Sequence, residues 1–255
     1  MKRSMLAFFA LGVLAALATA EDRSAPVNPA RQAAPPVSAA PSPTGKQSAA
    51  APALPRYVPP ARGAPRMRVG AGTRAGGAVA KVEALSPESL GHTLSASPSL
   101  YWHLSEPTQA RIDFTLTDEA SVAPLVETTL SGPFSAGVHR IELTGLGVQL
   151  APGTQYQWFV SLVPDPEERS ADVVAGGGVA LVDASPLRAE LDAAPADEQV
   201  LVLARNGIWY DAVDTLSRRI ESAPTDALAR QQLASLLEQV GLADLAAEES
   251  AVSAQ

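Results

Sequence analysis

Cysteine is absent from the 255 residues. That absence excludes a disulfide framework, a thiolate metal site and the lipid-bearing cysteine of a lipoprotein leader. Histidine is scarce: the chain has His92, His103 and His139, and none lies at metal-ligand spacing from another. No Gly-x-Ser-x-Gly elbow appears, and Gly70-Ala-Gly72 lacks the following Gly-Lys-Ser/Thr of a phosphate loop. After the first 20 residues no apolar run is long enough to span a bilayer. A secreted chain without bridges or metals needs a real hydrophobic core, and the middle of this chain is long enough for one. No motif calls for a cofactor or a metal, and Asp165, Glu167 and Glu168 read as a solvated turn rather than a calcium loop.

What is present changes sharply along the chain. Lys2 and Arg3, the apolar run from Met5 to Leu17 and then Ala18-Thr19-Ala20 predict a secretory signal peptide over residues 1–20, cut before Glu21. The expected location is therefore periplasmic or extracellular, with no transmembrane segment after cleavage. Residues 21–80 are rich in Ala, Pro and Ser with almost no large apolar side chains, so they predict a disordered, semi-stiff tail. They carry 8 basic and 2 acidic side chains, a net +6, whereas residues 81–183 are at −9 and residues 184–255 at −7. A basic tail on an acidic body excludes a nucleic-acid binder with a folded basic face. The tail offers a weak contact for anionic lipid or envelope polymer. Within it Arg62, Arg66, Arg68 and Arg74 alternate with glycines, and their planar guanidinium forks make them candidate partner-binding residues.

Residues 81–183 carry strand signals at short spacing. Leu100, Trp102 and Leu104 share a face, as do Ile112, Phe114 and Leu116, with Arg111, Asp113, Thr115 and Thr117 opposite. Further strands are expected at Leu125–Leu130, Val138–Thr144 and Asp172–Val182, with a weak leading one near Thr93–Ala96. The triple glycine 176–178 predicts a bulge or a break. The strongest signal is the turn Pro152-Gly153 followed by Tyr156, Trp158, Val160 and Leu162 on alternate residues. Leu150, Pro152, Thr154 and Tyr156 resemble the tyrosine corner of immunoglobulin-like domains, where the tyrosine hydroxyl bonds a backbone group a few residues upstream. About seven strands at this spacing predict an immunoglobulin- or fibronectin-III-like antiparallel β-sandwich.

From residue 184 the period becomes helical. Trp209, Ala212, Val213, Leu216 and Ile220 recur at helical spacing, and Ala229, Leu233, Leu236, Leu237 and Val240 repeat the pattern. Leu203, Gly207 and Ala212 recur 34 residues later as Leu237, Gly241 and Ala246, which is the tetratricopeptide period. Residues 184–255 thus predict a small region of tetratricopeptide-like helix hairpins, making the whole chain α+β. Such hairpins offer a peptide-binding groove or complete a core, and Trp209 and Tyr210 join the candidate partner-binding residues.

Gly72-Thr73-Arg74, Tyr156-Gln-Trp158-Phe159, Trp209-Tyr-Asp-Ala212 and Val240-Gly-Leu242, in this order behind a leader and a Pro-rich tail, carry a resemblance. The chain resembles the secreted bacterial family catalogued as domain of unknown function 928 over about residues 62–250. The resemblance implies secretion but brings no reaction and no catalytic residues. Some relatives are expected to carry cysteines, and this chain has none to match them. The expected role is a non-enzymatic secreted or periplasmic protein that mediates contacts with a protein partner in the cell envelope. The alternatives are a carbohydrate- or cell-wall-binding module using the rings of Tyr101, Trp102 and Trp158, and a small hydrolase. The latter requires His103 or His139 in a pocket with a carboxylate.

Overall fold

Large apolar side chains on alternate residues make Gln155–Val163 a strand with one buried face: Tyr156, Trp158, Val160 and Leu162 are all buried. It follows the turn in which Gly153 takes a φ of 77°. The Tyr156 hydroxyl accepts the Ala151 backbone N–H at 2.9 Å, so the tyrosine braces the turn that precedes it, as the pattern Leu150–Tyr156 predicts. This computed structural model describes residues 53–60, 67–70, 80–119, 121 and 123–253. The expected signal peptide, most of the 21–80 tail and Arg62, Arg66 and Arg74 lie outside the described residues.

Among the described residues there are eight strands: β1 (Val82–Ala84), β2 (Gly91–Thr93), β3 (Ser99–Leu104), β4 (Arg111–Asp118), β5 (Val126–Leu130), β6 (Gly137–Glu142), β7 (Gln155–Val163) and β8 (Val173–Leu181). They form a five-stranded sheet in the order β2-β8-β7-β4-β5 and a three-stranded sheet in the order β1-β3-β6. Every pairing is antiparallel except β2 with β8, which is parallel. The expectation of a wholly antiparallel arrangement is corrected here. β2 and β8 are far apart in the chain, so no hairpin turn dictates their relative direction. The leading strand also falls slightly earlier than expected, at Gly91–Thr93, and β1 is too short to leave a period in the sequence.

The triple glycine does not break β8. Gly176, Gly177 and Gly178 pair in register with Phe159, Trp158 and Gln157. Their lack of a side chain serves close approach instead: a Cβ on Gly176 would stand 2.2 Å from the Trp158 carbonyl oxygen, and one on Gly177 2.2 Å from Ser86 Oγ.

Five helices follow: α1 (Ser185–Ala193), α2 (Gln199–Arg205), α3 (Trp209–Ser222), α4 (Ala227–Gln239) and α5 (Ala243–Ser253). None is long and apolar enough to cross a membrane. The chain is thus α+β, two sheets followed by helices. The internal repeat is visible in backbone geometry. Gly207 and Gly241 take φ values of 74° and 77°. Ile208 N–H bonds Leu203 O and Leu242 N–H bonds Leu237 O, each at 2.9 Å. Both helices end in the left-handed glycine stop that lets the chain reverse.

The start of α3 is sunk between the sheets. Trp209 Nε1 donates to Leu85 O, and Tyr210 Oη donates to Gly178 O while accepting from Trp158 Nε1 at 2.9 Å. β3 explains why the helices cannot be a separate layer. Its Leu100, Trp102 and Leu104 face is buried as expected, but Tyr101 and His103 on the other face are buried too. There Tyr101 donates to Asp214 of α3, and His103 meets Glu248 of α5. Burying side chains of this size contributes roughly 1.5–3 kcal/mol each, so helices and sheets share one stabilising core.

Candidate peptide-binding groove

α4 begins at a strong cap. Asp226 accepts the Ala229 N–H at 2.9 Å and pairs with Arg219 at 2.8 Å. Those contacts, the backbone N–H first, outweigh partial burial and hold its carboxyl below the usual carboxylate range. The cap fixes the rotation of α4. Gln232 and Gln239, seven residues apart, then fall on the same side, two turns from each other.

Both glutamines grip the backbone of residues 53–60. Gln232 Nε2 donates to Ala53 O at 3.0 Å. Gln239 Nε2 donates to Pro55 O at 2.9 Å, and its Oε1 accepts the Tyr57 N–H at 2.8 Å. The Val58 N–H bonds Ala204 O, at the end of α2, at 3.1 Å. Seven helical residues rise about 10 Å, between the roughly 7 Å and 14 Å that two and four extended residues can span, so the stretch from Ala53 to Tyr57 lies lengthwise along α4. The segment runs in the same direction as α4. No strand pairs with it; side-chain amides take the place of a ladder.

Tyr57 anchors the segment. Its ring is buried and meets Trp209 edge-on, with centroids 4.9 Å apart. Burial pushes its phenol well above the usual tyrosine range, and its hydroxyl finds no hydrogen-bond partner among the described residues. Gly207 completes the seat. A Cβ there would lie 2.8 Å from Val58 O, so the glycine serves both the helix stop and the passage of the segment. One residue of the segment is less well seated: Leu54 is half-exposed at the mouth of a cavity of about 430 Å³ between α4 and α5, lined by Ala234, Glu238, Ala243 and Ala247 among others.

Of the six candidate partner-binding residues, three fall within the described chain, and none of these offers an open surface. Arg68 is largely buried and donates to Ser86 O and Val240 O, with Glu88 3.8 Å away. It ties the loop after β1 to the second helix stop. Trp209 and Tyr210 are fully buried, spent on Leu85 and Gly178. The described part of the expected tail is packed, not free chain. Its single aromatic, Tyr57, supplies the apolar anchor that the rest of the tail lacks. Sequence reasoning missed Tyr57, Gln232 and Gln239. The signals were the lone aromatic in a Pro-rich stretch and a glutamine set among the apolar positions of α4.

The rival sites fare differently. Tyr101, Trp102 and Trp158 are all buried, so they turn no ring face outward for a sugar to stack on. His139 stacks on Trp102 with centroids 4.5 Å apart and bonds Ser135 O. Asp113 is pushed up by burial, but Arg111, Thr129 and Arg169 outweigh this and hold it below its ordinary value as a structural ion pair. His103 does meet a carboxylate, Glu248, at 3.0 Å beside a cavity of about 160 Å³. No hydroxyl or thiol side chain lines that cavity among the described residues. No group of three His, Cys, Asp or Glu among the described residues could hold a metal ion.

A family model described as Domain of Unknown Function (DUF928) matches residues 43–250. The match begins before Ala53 and so takes in the docked segment together with its groove. No curated protein matches the chain.

Proposed function

This chain belongs to the DUF928 family, and from its own geometry we propose that it is a non-enzymatic protein of the periplasm or cell exterior that mediates contacts with other proteins. The observation that carries the reading is the grip of Gln232 and Gln239 on the backbone of residues 53–60. A surface that recognises extended chain by its peptide groups is built for protein ligands, because backbone atoms are common to all of them. The helix pairs α2–α3 and α4–α5 read as tetratricopeptide-like, supported by the 34-residue repeat of their glycine stops. The two sheets read as an immunoglobulin-like sandwich, supported by the bond from Ala151 to the Tyr156 hydroxyl. The sheets are the scaffold and the helices the contact surface. Export is supported by the leader pattern of residues 1–20.

Removing residues 184–255 would not test this cleanly, since Trp209 and Tyr210 belong to the shared core. The test is a pull-down from cell-envelope extract with the native chain and with the Q232A/Q239A double variant, both checked for native circular dichroism. Partners captured by the first and lost from the second are expected. An unchanged set of captured proteins, or none captured by either, overturns the reading.

A further inference from the structure

We infer that the groove on α2 and α4 is a receptor for a proline-containing, extended segment of a partner protein, and that residues 53–60 hold it as a weak internal occupant; this rests on the contact-mediating reading above. Three observations carry it. First, among the described residues the four hydrogen bonds that seat the segment go to its backbone, at Ala53, Pro55, Tyr57 and Val58. Recognition of that kind transfers to any chain of the same shape. Second, the aromatic pocket against Trp209 gives the buried Tyr57 hydroxyl no partner among the described residues. A buried hydroxyl left unbonded weakens binding, so the pocket favours an aromatic without one. Third, Leu54 leaves much of the cavity of about 430 Å³ unfilled. The best ligand therefore carries a large apolar residue where Leu54 stands, proline next, and a phenylalanine-type ring two residues further on.

The internal segment keeps its place with the help of its tether, beyond what its fit alone supplies. Six residues separate Pro60 from Met67, and Met67 is itself held through its N–H on Glu88 O at 2.8 Å. A short tether gives an effective concentration on the order of millimolar, enough for a poor ligand to stay seated. A better-fitting segment from outside displaces it. The outside chain is assigned to a different protein because a second copy would bring the same Leu54 and the same tyrosine hydroxyl, and so no better fit than the segment already seated.

The test uses fluorescently labelled synthetic peptides of residues 53–60 in three forms: native sequence, Y57F and L54W. Binding is read by fluorescence anisotropy against the native full chain and against the Y57A full chain, whose own segment has lost its anchor. The Y57A chain is expected to bind all three peptides, the Y57F and L54W forms at least threefold more tightly than the native sequence. The native chain is expected to bind each at least tenfold more weakly than the Y57A chain. Adding Q232A/Q239A to Y57A should abolish binding. Should Y57A fail to give a native circular dichroism spectrum, V58P replaces it, since it removes the bond to Ala204 and keeps the ring. Absence of binding to the released chain, equal affinity for the native and Y57F peptides, or indifference to Q232A/Q239A overturns the inference. Dimers of the native chain that dissolve on Y57A would make a second copy the occupant and overturn it as well. Peptides that fail while the pull-down loses partners on Q232A/Q239A sink this inference alone and leave the contact-mediating reading standing.

Discussion

Three tyrosines show how differently one hydroxyl can be used. Tyr156 accepts a single N–H from Ala151, a residue at the surface. The Y156F variant should therefore lose only about 1 kcal/mol, the ordinary net worth of one hydrogen bond, read as a shift in the urea midpoint. Tyr210 sits between Trp158 Nε1 and Gly178 O, both interior. Y210F strands two buried groups at once, so its loss should be larger, about 2–4 kcal/mol, with a change in tryptophan emission as Trp158 loses its acceptor. Among the described residues Tyr57 bonds nothing through its hydroxyl. Y57F in the intact chain should be neutral or raise the melting temperature, the opposite sign from the other two.

The helix stops provide a matched pair of elements. Gly207 and Gly241 share the same left-handed φ, so G207A and G241A should each cost about 1 kcal/mol for forcing an alanine there. A Cβ on Gly241 finds nothing closer than 3.7 Å, but one on Gly207 runs into Val58 O at 2.8 Å. G207A should therefore be the more destabilising, and it alone should expose residues 53–60 to limited proteolysis. Equal melting temperatures and equal cleavage would contradict the seating described for that segment. The cap of α4 is open to a pH test. Asp226 is held below the ordinary carboxylate value of about 4, so its stabilising contribution is complete above that pH and fades as the pH falls through the lowered folded value. The stability gap between native chain and D226A should be about 1 kcal/mol at pH 7 and narrow below about pH 4, measured by urea titration across that range. Elements of this length were legible in the sequence because each shows its period several times, as Ile112, Phe114 and Leu116 do in β4. β1 and β2, at three residues each, cannot show a period at all. The glycines of β8 misled because the usual meaning of glycine in a strand is a break, whereas here the missing side chains make room for Ser86 and for the neighbouring strand. The groove was half legible: the repeat announced helix pairs, but nothing local ties Gln239 to Tyr57.

At the scale of the molecule, the sheets and the helices have no interior of their own to retreat to. Trp102 and Trp158 lie in the sheets and Trp209 opens α3, yet all three are buried in one cluster. Unfolding followed by tryptophan fluorescence and by helical circular dichroism should give superimposable curves with one midpoint. Two separated transitions would mean that the helices come away while the sheets survive. The docked segment adds an order in time. Residues 53–60 leave the ribosome early, yet Tyr57 is bonded to a residue 182 positions further along the chain. Its seat is incomplete until α4 has been made and folded, so docking belongs among the final events of maturation. A chain interrupted before Ala227 would keep the Ala204 and Trp209 side of the seat but lose both glutamines that hold the segment in line.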